Sequence, residues 1–159
     1  MSGERGNGKT EAFWQAYLET LPGDTPERQD DYEAWAFGDG PKMSDELGAL
    51  VLSGKKTATC CALWEVEADA EPMPRVGEKS VILDGKGGPL CVVETTEVEV
   101  RRFDQVDEQF AREEGEGDLS LEYWREAHER FFSRTLPAIG REFSGEMPLV
   151  CERFRMVYS

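Results

Sequence analysis

Apolar residues recur at three- and four-residue spacing in four stretches of the chain and alternate or cluster in four others. The first helical stretch is 11–21, where Phe13, Trp14, Tyr17, Leu18 and Leu21 share one face. Thr10 is placed to cap it, Glu11 suits its first turn, and Pro22-Gly23 ends it. An aromatic face of this kind predicts core packing. A short helix is expected after Pro26. The next full helix, 44–53, has Ser44 as cap, Asp45 and Glu46 in its first turn, and Leu47, Leu50 and Val51 as its buried stripe. Two more helices come late: 104–114, with Val106 and Phe110 inward, and one capped by Ser120 that runs to about Arg134. On the last helix Leu121, Trp124, His128 and Phe131 share a face, and His128 reads there as a packed histidine.

The strand signals lie mostly between the helices. Residues 57–64 favour a strand, and the acidic 65–74, with two prolines, reads as a loop. Residues 79–83 form a second strand, Asp84-Gly85-Lys86-Gly87-Gly88-Pro89 a hairpin turn, and 90–100 its long partner. The closing strand is 151–158, with Phe154, Met156 and Tyr158 alternating. Helices, then strands, then helices and a final strand predict an α+β fold rather than βαβ alternation. No repeat or linker divides the chain. The expectation is a polar leader over 1–9 and one domain over 10–159.

Charge narrows the partners. Acids outnumber bases 33 to 18, for a net charge of -15. Such a field repels a polyanion, so tight binding to long RNA or DNA is disfavoured and a small, weakly charged ligand suits the chain better. The leader has no apolar core of a secretory signal, and the longest apolar runs are too short to span a bilayer. Cys60, Cys61, Cys91 and Cys151 form no C-x-x-C pair, and the single histidine, His128, is distant in sequence. These features predict reduced thiols in a cytoplasmic protein, with no metal site and no cofactor. They leave the oligomeric state open.

Gly3-Glu4-Arg5-Gly6-Asn7-Gly8-Lys9-Thr10 has the letters of a phosphate-binding loop, but only Met1 and Ser2 precede it. The strand that must enter such a loop is missing. Gly54-Lys55-Lys56-Thr57-Ala58-Thr59 is more promising. The glycine lets the chain leave a helix, and two lysines follow where a strand should begin. A lysine there is either a solvated cation at a helix C-terminus or a desolvated amine able to activate a hydroxyl. In a straight strand, positions 56 and 59 face opposite ways, so Lys56 and Thr59 cooperate only if the chain bends between them. Trp35 and Phe37 precede a Gly-Asp-Gly-Pro turn, where they either stack on a planar ring or plug the core.

The signature G-x-K-x-x-T at Gly54–Thr59 resembles that of the ASCH domain family, which is related to PUA domains. Trp35-Ala36-Phe37-Gly38, the 44–53 helix, Glu94-Thr95-Thr96-Glu97, Phe110-Ala111-Arg112-Glu113-Glu114-Gly115 and Phe131-Phe132-Ser133-Arg134 also look like the longer bacterial members, over about 30–158. The resemblance implies a PUA-like small β-barrel flanked by helices, with a cleft for a nucleoside or RNA. It implies an amidohydrolase that removes the acyl group from N4-acylated cytidine or cytosine, such as N4-acetylcytidine. A ribonuclease or RNA-binding module and a non-catalytic nucleoside-sensing domain are the alternatives. Lys56, Thr59 and Glu114 become the catalytic residues, with Glu113 one position away. The nucleophile is Thr59 or a water beside it. Trp35, Phe37 or Trp64 would stack on the base, and Ser133 and Arg134 would add a polar or phosphate contact. Lys56 should point inward and Lys55 outward.

Overall fold

The computed structural model describes residues 7–159. Residues 1–6 of the expected leader, including Gly3 and Gly6 of the phosphate-loop-like run, lie outside the described residues. Asn7 caps the first helix, α1 (Gly8–Glu19), accepting from the backbone N–H groups of Lys9 and Thr10. Gly8, Lys9 and Thr10 are therefore its first turn. Thr10, the expected cap, is buried inside the helix.

One five-stranded sheet organises the rest. Its strands are β1 (Tyr32–Trp35), β2 (Ala58–Ala62), β3 (Lys79–Leu83), β4 (Pro89–Arg102) and β5 (Pro148–Tyr158), in the order β1-β3-β4-β5-β2. Only the β1–β3 pair is parallel. The long β4–β5 ladder is the spine, with register shifts at Val92/Val93 and Thr95/Glu97 that add twist. The α+β, PUA-like architecture is the one implied by the sequence. The sheet is not closed into a full barrel, however: β1 and β2 are its edges and each pairs on one side only.

Strand alternation distributes side chains between two faces. On one face, Val81 and Val92 pack with Trp14 and Tyr17 of α1, and with Tyr32 and Ala34. At the other end of that face, Ala58, Leu149 and Cys151 pack with Phe110 of α4 (Glu108–Glu114) and with Trp124 and Phe132 of α5 (Leu121–Thr135). On the second face, Ile82, Cys91, Val93 and Phe154 meet Phe37 and Val51 of α2 (Pro41–Leu52). The aromatic face of α1 is thus core.

Several local expectations shift. Helix α2 starts at Pro41, whose fixed φ suits a first helical position. Ser44 lies inside α2 and donates its hydroxyl to the Phe37 carbonyl at 2.7 Å. The 104–114 segment divides into a 3-10 turn at Phe103–Gln105 and α4, because Asp107 caps α4 by accepting from the N–H of Phe110 at 2.8 Å. Residues 65–74 are not all loop. Helix α3 (Leu63–Ala68) follows β2 at once and buries Val66, with Glu65 half-buried and Glu67 exposed. The two prolines come only after it. This helix and the following loop lie between the two sheet edges, because Trp35 of β1, Cys61 of β2, Val66 and Pro72 line one cleft.

Gly115 ends α4 with φ +76 and sits against the Lys55–Lys56 backbone. A Cβ there would run into the Lys55 carbonyl and lie 3.0 Å from the Lys56 Cα. Gly115→Ala combines left-handed strain with this collision. It should destabilise the fold by roughly 2–4 kcal/mol, a fall in Tm of about 4–16 °C. Thermal denaturation followed by circular dichroism measures it, and an unchanged Tm contradicts the close approach.

Candidate active site

The chain leaves α2 through Gly54, at φ +81, and the backbone N–H groups of Lys55 and Lys56 both donate to the Leu50 carbonyl. Thr57 then donates its N–H to the Glu113 carbonyl at 2.8 Å and accepts from the N–H of Phe154 at 3.0 Å. Lys56 is thereby clamped between the ends of α2 and α4. Lys55 is exposed, whereas Lys56 is buried, as expected.

Lys56 and Glu114 are each 2 % exposed and form a direct ion pair, Nζ to Oε1, at 3.1 Å. The ammonium also donates to the Glu114 carbonyl at 3.3 Å and to Oε2 of the more exposed Glu116 at 3.3 Å. Its three protons are therefore all engaged. The face of Phe37 lies 5.4 Å away. Burial alone would drive Lys56 toward the neutral amine. The charges of Glu114 and Glu116 more than offset it, and the pKa stands above that of a free lysine. Lys56 is thus an ammonium in the resting site.

Glu113 and Glu114 are now distinguishable. Glu113 points away, accepting from Arg153 and from Gln109. Glu114 uses its second oxygen, Oε2, to accept from the indole N–H of Trp124 at 2.5 Å and from His128 Nε2 at 2.9 Å, with the Cys60 thiol at 3.7 Å. Burial raises the Glu114 pKa, but Lys56 and His128 more than reverse that and hold it at about 2.

His128, a packed histidine by its helical spacing, has a second role in the structure. It stacks on Trp124, ring centroids 4.2 Å apart. Its Nδ1 lies 2.8 Å from the Trp124 carbonyl, which can only accept, so Nδ1 carries a proton. Nε2 faces a carboxylate and must carry one as well. His128 is therefore an imidazolium: burial lowers its pKa, and the charge of Glu114 raises it past the ordinary value. Lys56, His128, Glu114 and Glu116 sum to zero charge. The i, i+4 spacing of Trp124 and His128 was the available signal, but nothing in the sequence placed Glu114 opposite them.

Donor atoms of Cys60, Glu114 and His128 lie within 4.8 Å of one another, a grouping of metal-ligating types that the spacing rules did not anticipate. As arranged, Glu114 is engaged with both Cys60 and His128. Burial and the neighbouring carboxylate also hold the Cys60 thiol far above its ordinary pKa.

Thr59 is buried on β2. Cys60 and its neighbours Ala58 and Ala62 belong to the α4–α5 face. Thr59 therefore projects to the opposite face with Cys61. Its cross-strand partner is Glu152. Among the described residues, no hydrogen bond joins Thr59 to Lys56 or Glu114. Cys61, Glu152, Trp35 and Ser80 line the cleft between the sheet edges, a space of about 270 Å³. Thr59 stands one pleat, roughly 7 Å, from Cys61 toward Lys56.

The other expected ligand contacts fall in different places. Half-buried Trp35 lines the cleft and meets Phe37 edge-on at 4.6 Å. Phe37 is buried and faces Lys56, so it is core rather than a stacking platform. Trp64, in α3, packs against the α4–α5 core and carries Arg141 over its ring at 4.6 Å. Ser133 and Arg134 border a shallow groove along α5 with Glu126, Glu129 and Arg130. Arg134 is paired with Asp39 there at 2.7 Å.

A family model and one solved structure name the same family. A family model described as ASCH domain matches residues 33–158. The crystal structure of an ASCH domain from Lactobacillus crispatus is similar, with a TM-score of 0.90 and 34% identity over 97% of each chain. A protein from Enterococcus faecalis is 40% identical, with a TM-score of 0.80, over 93% of this chain and 87% of that one. Among curated proteins, none matches the chain.

The His128–Glu114 contact makes stability depend on pH. A histidine whose folded pKa is raised contributes below its unfolded value, about 6.5, and loses that contribution as pH rises through the folded pKa. Glu114, depressed to about 2, contributes above its unfolded value and keeps that contribution until strong acid. His128→Gln should therefore destabilise most near pH 5.5, and the difference from the native chain should shrink by pH 9. Urea denaturation at the two pH values measures this; an equal difference at both means that His128 is neutral.

Proposed function

The chain belongs to the ASCH domain family, and on that footing we propose that it hydrolyses the exocyclic amide of N4-acylated cytidine or cytosine. The observation that carries this reading is the buried Lys56–Glu114 pair at one end of the strand bearing Thr59. A buried ammonium and carboxylate in contact supply the two things amide hydrolysis needs. One is a cation for the oxyanion and the other a group that moves a proton.

The cleft supports a nucleobase-sized ligand. Trp35 offers an aromatic wall, and Thr59 lies between the cleft residue Cys61 and the Lys56 end of β2. With the base beside Trp35, the acyl amide extends toward Thr59 and Lys56. A water oriented by the Thr59 hydroxyl attacks the carbonyl carbon. Lys56 gives up its contact with the more exposed Glu116 and turns that proton to the developing oxyanion. Glu114 then loses part of the Lys56 charge that depresses its pKa. Burial, the opposing effect, raises its basicity as the reaction proceeds. Because Glu114 lies on the other face of β2 from Thr59, the proton of the attacking water reaches it through the Lys56 ammonium and returns by the same route to N4 as the C–N bond breaks. The products are the free acid and cytidine.

Acidity disfavours the nucleic-acid alternative. Glu33, Glu71 and Glu78 surround the cleft, and the net charge is -15.

Incubation with N4-acetylcytidine should release cytidine and acetate. Lys56→Ala should lower kcat/KM by roughly 10³-fold and Glu114→Gln by roughly 10²–10⁴-fold, with folding checked by circular dichroism. Thr59→Ala should lose roughly 10–100-fold, whereas complete loss would make Thr59 itself the nucleophile. An unaffected rate in Lys56→Ala overturns the mechanism. Binding without turnover makes the chain a sensor, and cleavage of a labelled RNA makes it a ribonuclease.

A further inference from the structure

Glu152 has an unusual position. It lies on β5, opposite Thr59, and lines the cleft with Trp35, Cys61 and Ser80. The hydrogen bond it receives from the Thr95 hydroxyl is long, at 3.4 Å. Among the described residues no lysine, arginine or histidine pairs with it. Among the described residues, the titratable groups that share its surroundings are Glu33 from β1, Glu78 from the turn before β3, Glu71 from the loop after α3, and Cys61 from β2. None supplies a positive charge. Burial pushes the Glu152 carboxyl up to about 7, and Glu78 and Glu33 add to the shift against the Thr95 hydrogen bond. A glutamate without a cation is a poor structural choice in such a place, but its neutral form has a specific use: one oxygen donates and the other accepts, side by side.

The Watson–Crick edge of an N4-acylated cytosine presents the complementary pair, the N3 acceptor beside the N4–H donor. We infer that Glu152 is the base-reading residue of the cleft, its carboxylic acid donating to N3 and accepting from N4–H. This rests on the amidohydrolase reading and adds the means of recognition to it. Glu152 meets the N4–H and N3 of the base but neither the carbonyl carbon nor the proton delivered to N4, so its effect is read chiefly in KM. The same proton count holds if the proton resides on N3 and the carboxylate accepts both hydrogen bonds. The surrounding carboxylates repel a phosphorylated ligand, so the free nucleoside or base is the occupant.

The test is the pH dependence of KM and kcat for N4-acetylcytidine between pH 5.5 and 8.5, with Glu152→Gln and Glu152→Ala beside the native chain. The native KM should rise about tenfold per pH unit above 7 while kcat holds. The amide of Glu152→Gln reproduces the donor and acceptor of the neutral acid without titrating. Its KM should stay near the native low-pH value at every pH. Glu152→Ala should raise KM about 10–100-fold with kcat retained. A flat native KM, or a Glu152→Gln profile that still rises with pH, overturns the assignment. Cytidine carries the same edge, so its Kd by calorimetry on the three proteins separates the two ideas. Binding with this pH pattern but no turnover removes the reaction and keeps the base reader. Turnover without the pattern does the reverse, and absence of both turnover and cytidine binding removes both.

Discussion

A lysine and a glutamate held in contact out of water constrain this molecule more than any other pair. Removing one partner of such a pair leaves a buried charge alone, at a cost of about 3–5 kcal/mol. The two come from distant parts of the chain, the exit of α2 and the last turn of α4. Their contact requires the backbone at Gly54 to turn and the backbone at Gly115 to pass close by Lys55. Around them, Trp124 and His128 complete the carboxylate's hydrogen bonds, and the aromatic packing of α5 keeps these two aligned. Local geometry, tertiary packing and electrostatics thus converge on Glu114.

The resulting site is balanced rather than activated. With Lys56 charged and its three protons placed, the lysine is no base in the resting state. Lys56 is therefore held as a buried cation rather than as the desolvated neutral amine that could activate a hydroxyl. In the proposed reaction, a ligand that draws the ammonium outward changes the proton affinity of the carboxylate left behind. The low-dielectric surroundings make that response large, because burial and the ion pair act on Glu114 in opposite directions.

The parts of the fold legible in the sequence were those with a local physical signature. The hairpin between β3 and β4, the Ser120 cap of α5 and the aromatic face of α1 depend on neighbours a few residues away. Strand β1 escaped notice because four residues with only Tyr32 and Ala34 buried give too short an alternation. Helix α3 was hidden by its acidic residues, of which Glu65 is half-buried and Glu67 exposed. At the site, the G-x-K-x-x-T signature marked Lys56, and the resemblance brought in Glu114 with one position of ambiguity. No periodicity distinguishes a histidine that fills a core from one that neutralises a carboxylate, so His128 required the three-dimensional arrangement. The same holds for Glu152, whose sequence neighbours Cys151 and Arg153 reveal nothing about the cleft it faces.

The incomplete barrel gives the cleft a divided construction. One wall belongs to hydrogen-bonded strands, whose spacing and register cannot change without disturbing the core. The other is α3 and the proline-bearing loop, which span the gap between β1 and β2 without joining the ladder. Insertions or substitutions in that segment can reshape the room for a ligand while the Lys56–Glu114 pair and the β4–β5 spine stay as they are. Under the proposed function, chemistry and ligand size are governed by separate pieces of chain, and selection can tune the second without rebuilding the first.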